Sequence, residues 1–213
     1  MSYAVKEIFY TLQGEGVHAG RPAVFLRFSG CNLWNGRPED RSKGAGGCAI
    51  WCDTDFFGTN GIGGGHFSSS ESLGEAVERA WTTSAVRGRL VVCTGGEPLL
   101  QLDARLVHDL RGRGFQVAVE TNGTRPSPDV DWLCVSPKAG GALAIQAGDE
   151  LKFVFPQDGL EPSAFEELQF RHFSIQPKDG PDQAENTRAA LRYCLDHPRW
   201  RLSLQTHKLL GIP

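Results

Sequence analysis

No window of about 18 apolar residues occurs anywhere in the 213-residue chain, which argues against a membrane-spanning helix. Met1-Ser2-Tyr3-Ala4-Val5-Lys6-Glu7-Ile8 lacks the basic stretch and apolar run of a secretory leader, so a cytoplasmic location is expected. A dominant charge is missing too. The 22 basic and 25 acidic residues leave a formal charge of -3, and neither sign gathers into a run, so neither nucleic acid nor a membrane is an expected partner. There is no internal repeat and no low-complexity tract. Six cysteines could form disulfides, but such frameworks belong to short secreted chains; in a reducing compartment clustered thiols point to metal or redox work.

With 40% hydrophobic residues the chain can bury one sizeable core, so residues 1–213 are expected to form a single domain. Seven short apolar runs read as strands: 24–28, 90–93, 116–119, 132–135, 151–155, 173–175 and 201–204. A helical stripe of Leu73, Ala76, Val77, Ala80 and Trp81 follows an apparent capping box of Ser72 and Glu75. A second helix is expected over 99–111, ending at Gly112 and Gly114. A third has Asp182 as N-cap, Glu185 three residues on and an inner stripe of Ala184, Leu191 and Leu195. Connections 125–131 and 140–149 are too short or glycine-rich for a full helix. The pattern predicts an α/β fold: an incomplete, reduced (β/α) barrel of six or seven mostly parallel strands with missing or shortened helices.

Residues 32–70 break this alternation as a long glycine-rich loop, a length that is uncommon unless functional or disordered. Nearly every strand also ends in hydrogen-bonding residues, among them Thr94-Gly95-Gly96-Glu97-Pro98, Glu120-Thr121-Asn122-Gly123, Ser136-Pro137-Lys138 and Gln205-Thr206-His207-Lys208. Turns are polar anyway, but long side chains such as Lys138, Gln176 and Gln205 are not turn formers. At the carboxyl ends of parallel strands such groups face a common ligand.

Cys31 ends the first of these strands, and Cys48 and Cys52 lie in the loop, which can fold back so that the three thiolates meet. Thiolates favour zinc or an iron-sulfur cluster. Three cysteines would leave one iron of a cubane open to a substrate or cofactor. The alternative is a non-catalytic zinc site with His18 or His66 as fourth ligand. Cys93, Cys134 and Cys194 lie on apolar strands and a helix face, where core packing is expected.

Cys31, Cys48 and Cys52, followed by Thr94-Gly95-Gly96-Glu97-Pro98, resemble the radical S-adenosylmethionine (SAM) superfamily. Within it, Tyr10-Thr11-Leu12-Gln13-Gly14-Glu15-Gly16, Arg27-Phe28-Ser29-Gly30-Cys31-Asn32-Leu33, Trp51-Cys52-Asp53-Thr54, Glu120-Thr121-Asn122-Gly123, Ser136-Pro137-Lys138 and Gln205-Thr206-His207-Lys208 are similar, from end to end, to the 7-carboxy-7-deazaguanine synthase family. The superfamily usually leaves three and then two residues between its cysteines; here the gaps are sixteen and three. The three-residue second gap asks for a local bulge if both thiolates are to reach iron.

The resemblance implies a lyase that contracts 6-carboxy-5,6,7,8-tetrahydropterin to 7-carboxy-7-deazaguanine with loss of ammonia, on the way to queuosine and related deazapurines. It implies a homodimer served by a one-electron donor such as flavodoxin or ferredoxin. A glycyl-radical-enzyme activating protein is the nearest alternative. Cys31, Cys48 and Cys52 would hold a 4Fe-4S cluster. Gly95, Gly96 and Glu97 would receive the methionine end of SAM, and Ser136, Pro137, Lys138, Gln176 and Asp179 the rest of it beside Ile50 and Trp51. Leu12, Gln13, Gly14, Glu15, Arg27, Thr94 and Pro213 would form the pterin pocket. In it Glu15 and Gln13 read the aminopyrimidinone edge and Arg27 pairs with the substrate carboxylate; the structural alternative for Arg27 is an ion pair with a glutamate such as Glu15. Thr54 would bind Mg2+, which prefers oxygen ligands, with Asp53 assisting.

Overall fold

The computed structural model describes residues 2–213. Their strands form one nine-stranded sheet: β1 (Tyr3–Leu12), β2 (Pro22–Phe28), β3 (Gly65–Phe67), β4 (Leu90–Gly95), β5 (Gln116–Thr121), β6 (Trp132–Val135), β7 (Ala147–Phe155), β8 (Gln169–Pro177) and β9 (Trp200–Leu202). Its spatial order is β3-β1-β2-β4-β5-β6-β7-β8-β9. From β2 to β9 every neighbouring pair is parallel, and these are the seven runs read from the sequence. The two further strands are antiparallel additions at one edge. The sequence pattern of β1 hides it, because a bulge between Val5 and Glu7 interrupts its register and Lys6 is buried. Lys6 earns that place by donating to Phe57 O and Asn60 Oδ1 and pairing with Asp55 at 2.7 Å, which fastens the long loop to β1.

The helices are α1 (Ser70–Ala80), α2 (Ala104–Gly112), α3 (Gln183–Asp196) and α4 (Thr206–Leu210). The first three pack on one face of the sheet, where Leu73, Val77, Leu106, Leu110 and Ala190 join Val91, Cys93, Val117 and Val119 in the main core. No α-helix fills the connections β5–β6 and β6–β7, as expected, and β7–β8 has only a 3-10 turn. Among the described residues no helix is long and apolar enough to cross a membrane.

Three helix details differ from expectation. The capping box of α1 sits one turn earlier: Ser69 Oγ accepts from Ser72 N at 3.1 Å while Ser72 Oγ accepts from Ser69 N. The expected helix 99–111 is a 3-10 turn at Pro98–Leu100 and then α2, whose start is set by Asp103, an N-cap accepting from Leu106 N at 2.9 Å. In α3 the buried face is Asn186 and Ala190, with Tyr193 and Cys194 behind them, and Leu191 and Leu195 are exposed. Asn186 donates to Lys178 O at 2.9 Å and Tyr193 packs on Phe155 and Trp200, so these contacts, not the leucines, rotate the helix onto the sheet.

The other face of the sheet curves round a lumen. Ala23, Leu90, Val92 and Ala118, with Phe25 and Trp132, make it apolar toward the strands' amino ends. Residues 13–21 run back through it: Gly16 N donates to Ser203 Oγ, Val17 N to Glu150 Oε2 and Arg21 to Gln116 Oε1. The curvature also brings opposite margins together, since Thr206 N donates to Gly14 O at 2.9 Å and Thr11 Oγ1 to Pro213 O at 2.9 Å.

Asp103 caps α2 and also accepts from the Tyr3 hydroxyl at 3.1 Å. Asp103→Ala should therefore cost about 1–2 kcal/mol, read as a lower urea midpoint with an unchanged slope.

Candidate functional site

At the carboxyl ends of the parallel strands the lumen opens into a cavity of roughly 350 Å³, within the range of small-molecule sites. Its wall includes all three expected cluster cysteines, Thr54, and the whole expected pterin set of Leu12, Gln13, Gly14, Glu15, Arg27, Thr94 and Pro213. Of the residues expected around SAM, Trp51, Gly95, Gly96, Ser136, Lys138 and Gln176 line it. Ile50, Glu97, Pro137 and Asp179 do not.

Each of these four has a local reason. Ile50 is 74% exposed at the crest of the cysteine turn. Glu97 is fully buried, its carboxylate accepting from Leu99 N, Thr121 Oγ1 and Asn122 N, so that it ties the end of β4 to the end of β5. Burial raises its pKa. Pro137 offers its carbonyl to Gln157 Nε2. Asp179 accepts from Lys208, which itself lines the cavity and also holds Asp53.

Gly95 and Gly96 bring the cysteine strand against its neighbour. A Cβ on Gly96 would stand 2.3 Å from Gly30 O and 2.7 Å from the Cys31 Cβ, and one on Gly95 2.4 Å from Phe28 O. The bare backbone therefore lets the end of β4 touch the turn that carries Cys31, and Glu97 N donates to Gly30 O at 3.0 Å across the same contact.

The three-residue gap between Cys48 and Cys52 is taken up by a helical turn. A 3-10 segment at Gly47–Ile50 continues so that Cys52 N donates to Cys48 O at 2.7 Å, an i to i+4 bond that keeps both side chains on one face. Arg41 clamps this turn, donating to Ala49 O at 2.7 Å and Cys52 O at 2.9 Å with its guanidinium 4.8 Å from the Trp34 ring. Gly47 N, donating to Ala139 O, moors the turn to the Lys138 loop. Lys138 Nζ donates to Ser136 O and lies 5.9 Å from the Trp51 ring.

These residues fit a cubane cluster better than zinc. Three thiolates on one cavity wall leave the fourth vertex of a cubane without a protein ligand, whereas a structural zinc site takes a fourth protein ligand. His18 packs against Trp132 with ring centroids 4.3 Å apart and the planes tilted by 50°, and His66 is exposed on β3; neither lines the cavity with the cysteines. Burial raises the Cys31 thiol and pushes Cys48 up to about 11, so each holds its proton until a metal displaces it. Cys93, fully buried in the main core, is pushed to about 12 and stays a thiol, and burial holds Cys134 well above the ordinary range.

The pterin set is built round charges. Arg27 pairs with Glu7, its partner across β1 and β2, at 2.7 Å through Nε, so the structural alternative of an ion pair with a glutamate is met by Glu7 and not by Glu15. The terminal guanidinium nitrogens keep their donors for a carboxylate in the cavity. Glu15 instead meets Lys152, a 5%-exposed ammonium on β7 that also donates to Glu120 Oε1 at 3.2 Å. Gln13 Nε2 donates to the same Glu120 oxygen at 3.0 Å, and Gln205 Nε2 to Glu15 Oε1 at 2.9 Å. Burial alone would raise the Glu15 carboxyl, but Lys152 and Gln205 override it and hold the group at about 2. Lys152, Glu120, Arg41 and Lys208 were not among the expected site residues. Two of them had a sequence signal: Glu120 and Lys208 stand in strand-end polar motifs. Lys152 is masked by the apolar run around it, and Arg41 by its place in a polar loop.

Gly96→Ala should push the Cys31 turn away and lower iron and sulfide bound after anaerobic reconstitution several-fold. Cys93→Ala, in the core, should retain both. Equal metal content in the two variants would contradict this geometry.

No family model matches the chain. Curated relatives do: 7-carboxy-7-deazaguanine synthase of Caulobacter vibrioides is 58% identical over 214 residues, and that of Nitratidesulfovibrio vulgaris 54% over 219 residues, each with 100% of both chains covered. The namesake of Bacteroides thetaiotaomicron is 40% identical over 213 residues, again with full coverage. Among solved structures, QueE from Escherichia coli superposes with a TM-score of 0.68 at 27% identity, covering 96% of this chain and 94% of its own. With relatives at these identities over its full length, and the three cysteines and the glycine strip round one cavity, the chain belongs to the 7-carboxy-7-deazaguanine synthase family.

Proposed function

We propose that the chain acts as a single radical-SAM-type domain that converts 6-carboxy-5,6,7,8-tetrahydropterin to 7-carboxy-7-deazaguanine with loss of ammonia, a step of queuosine and deazapurine biosynthesis. The observation that carries this reading is the shared wall: three cysteines, Gly95-Gly96 and the charged pterin set all line one cavity. Cys31, Cys48 and Cys52 would hold a 4Fe-4S cluster, and with SAM and one electron from an external donor that cluster would supply the radical hydrogen abstraction the reaction needs.

The chain's own residues position and enclose. Gly95 and Gly96 leave room for the methionine end of SAM, and Trp51 offers an aromatic face with Lys138 beside it. Ser136 and Gln176 supply hydrogen-bonding groups nearby. On the pterin side, Arg27 takes the substrate carboxylate with its free nitrogens. Gln13 and Glu15 face the pyrimidinone edge, and Leu12, Thr94 and Pro213 complete the wall. The apolar inner face at Leu90 and Val92 excludes water behind the ring. Mg2+ at Thr54 belongs to the same reading. This half-buried hydroxyl lies on the cavity wall between Asp53, paired with Lys208, and Asp55, paired with Lys6. The ion would complete its shell with water and substrate oxygens. A homodimer and a flavodoxin- or ferredoxin-type electron donor complete it; the exposed Leu191 and Leu195 of α3 offer apolar surface for a second copy.

Anaerobic incubation of the reconstituted protein with the carboxylated tetrahydropterin, SAM and reductant should yield a product with the mass of 7-carboxy-7-deazaguanine. SAM cleavage without any deazapurine would overturn the assignment. Arg27→Ala should raise KM for the pterin roughly 10- to 100-fold, the loss of a charge-assisted contact, with iron content unchanged. A fall in iron would place Arg27 in the cluster's support instead.

A further inference from the structure

Three segments distant in sequence close a ring of hydrogen bonds on the cavity wall. Glu15 N donates to Gln13 Oε1 at 3.0 Å, Gln13 Nε2 to Glu120 Oε1, Lys152 Nζ to that same oxygen, and Lys152 again to Glu15 Oε2. Gln205 joins from the far margin through Glu15 Oε1. Two carboxylates and one ammonium leave this patch with a net charge of -1. Glu120 Oε2 has no hydrogen-bond partner among the described residues, and Glu120 and Glu15 both line the cavity. A carboxylate held in this way suits a ligand edge with two adjacent N–H donors, as in a 2-amino-4-oxopyrimidine, whose exocyclic amine stands beside a ring N–H.

We propose that Lys152 is a positioning residue for the pterin: seated between Glu15 and Glu120, it keeps both as carboxylates turned to the donor edge of the aminopyrimidinone. Lys152 also lines the cavity, but its ammonium is engaged by both carboxylates and acts through them. The inference deepens the proposed function and rests on it.

The surroundings show why the ammonium is needed. Glu150, two residues back on β7, adds another buried carboxylate, engaged by Ser174 Oγ at 2.6 Å and Val17 N. Cys134 on β6 and Lys138 beyond it also act on Lys152 or are acted on by it, and His207 on α4 acts on Glu15. Burial would lower the Lys152 ammonium, yet the carboxylates of Glu120 and Glu15 hold it well above its ordinary value. Without Lys152, burial would dominate at Glu15 and raise its carboxyl. A protonated Glu15 loses an acceptor, so pterin affinity would then rise with pH as the proton is lost.

The test uses cluster-loaded protein with SAM and no reductant, and measures equilibrium binding of the carboxylated tetrahydropterin from pH 6 to 9 alongside turnover. Wild type, which includes any contribution from His207, is the reference and should vary little. Lys152→Met should bind about 100-fold more weakly at pH 6 and recover by up to tenfold per pH unit, with KM following the same course and iron content unchanged. Lys152→Arg should restore the wild-type pH profile. Because Lys152→Met strands two carboxylates and can fail to fold, the charge-balanced Glu15→Gln/Lys152→Met variant is measured too; it should bind weakly at every pH. A Lys152→Met profile parallel to wild type, or wild-type affinity in the double variant, overturns the inference while leaving the function standing. Wild-type protein that neither binds nor converts the pterin overturns both.

Discussion

The ion pair of Lys152 with Glu15 organises much of this molecule. An ammonium 5% exposed on an inner strand is tolerable only with charge-bearing acceptors at hand, and these come from the segment after β1 and from β5. The same pair draws residues 13–21 into the lumen, where their backbone donors meet Ser203 and Glu150. The contacts that seat this segment against the sheet and those that form the cavity wall are therefore shared. The charges that line the cavity also hold the chain segments that shape it.

Around that centre the architecture separates two tasks. Apolar residues on the helix-covered face carry the packing, with Val91, Cys93, Val117 and Val119 meeting Leu73, Leu106 and Leu110. The lumen face changes character along its length, from Leu90, Val92 and Ala118 at the amino ends to Glu120, Lys152 and Gln176 toward the carboxyl ends. Parallel strands make this division possible, because all seven deliver their carboxyl ends to the same side.

The parallel strands were legible because buried strands read as short apolar runs, and the cysteines and the polar residues that line the cavity because their motifs are local. β1 and β3 were not. Lys6 breaks the apolar pattern of one, and the other is three residues inside a glycine-rich loop. The leucines of α3 misled because periodicity reports a stripe but not which stripe faces the sheet; Asn186 and Tyr193 decide that through tertiary contacts. Glu97 shows the same limit within the site. Its motif marks a ligand-facing turn, but only the fold reveals that Thr121 and Asn122 already occupy its oxygens. Likewise no spacing rule anticipates Arg41, whose grip on Ala49 O and Cys52 O depends on how the loop folds back.

The passage of residues 13–21 through the lumen bears on how little scaffold this chemistry requires. Ordinary barrels resist collapse by closing their hydrogen-bonded ring and buttressing every strand from outside. Here β3 and β9 never meet, and three crossovers carry no α-helix. The threaded segment acts as an internal strut, bracing β5, β7 and the stretch beyond β9 through Gln116, Glu150 and Ser203. With the wall propped from within, outer helices can be dispensed with, and a chain of 213 residues encloses a cavity that a fully buttressed barrel would need more polypeptide to surround.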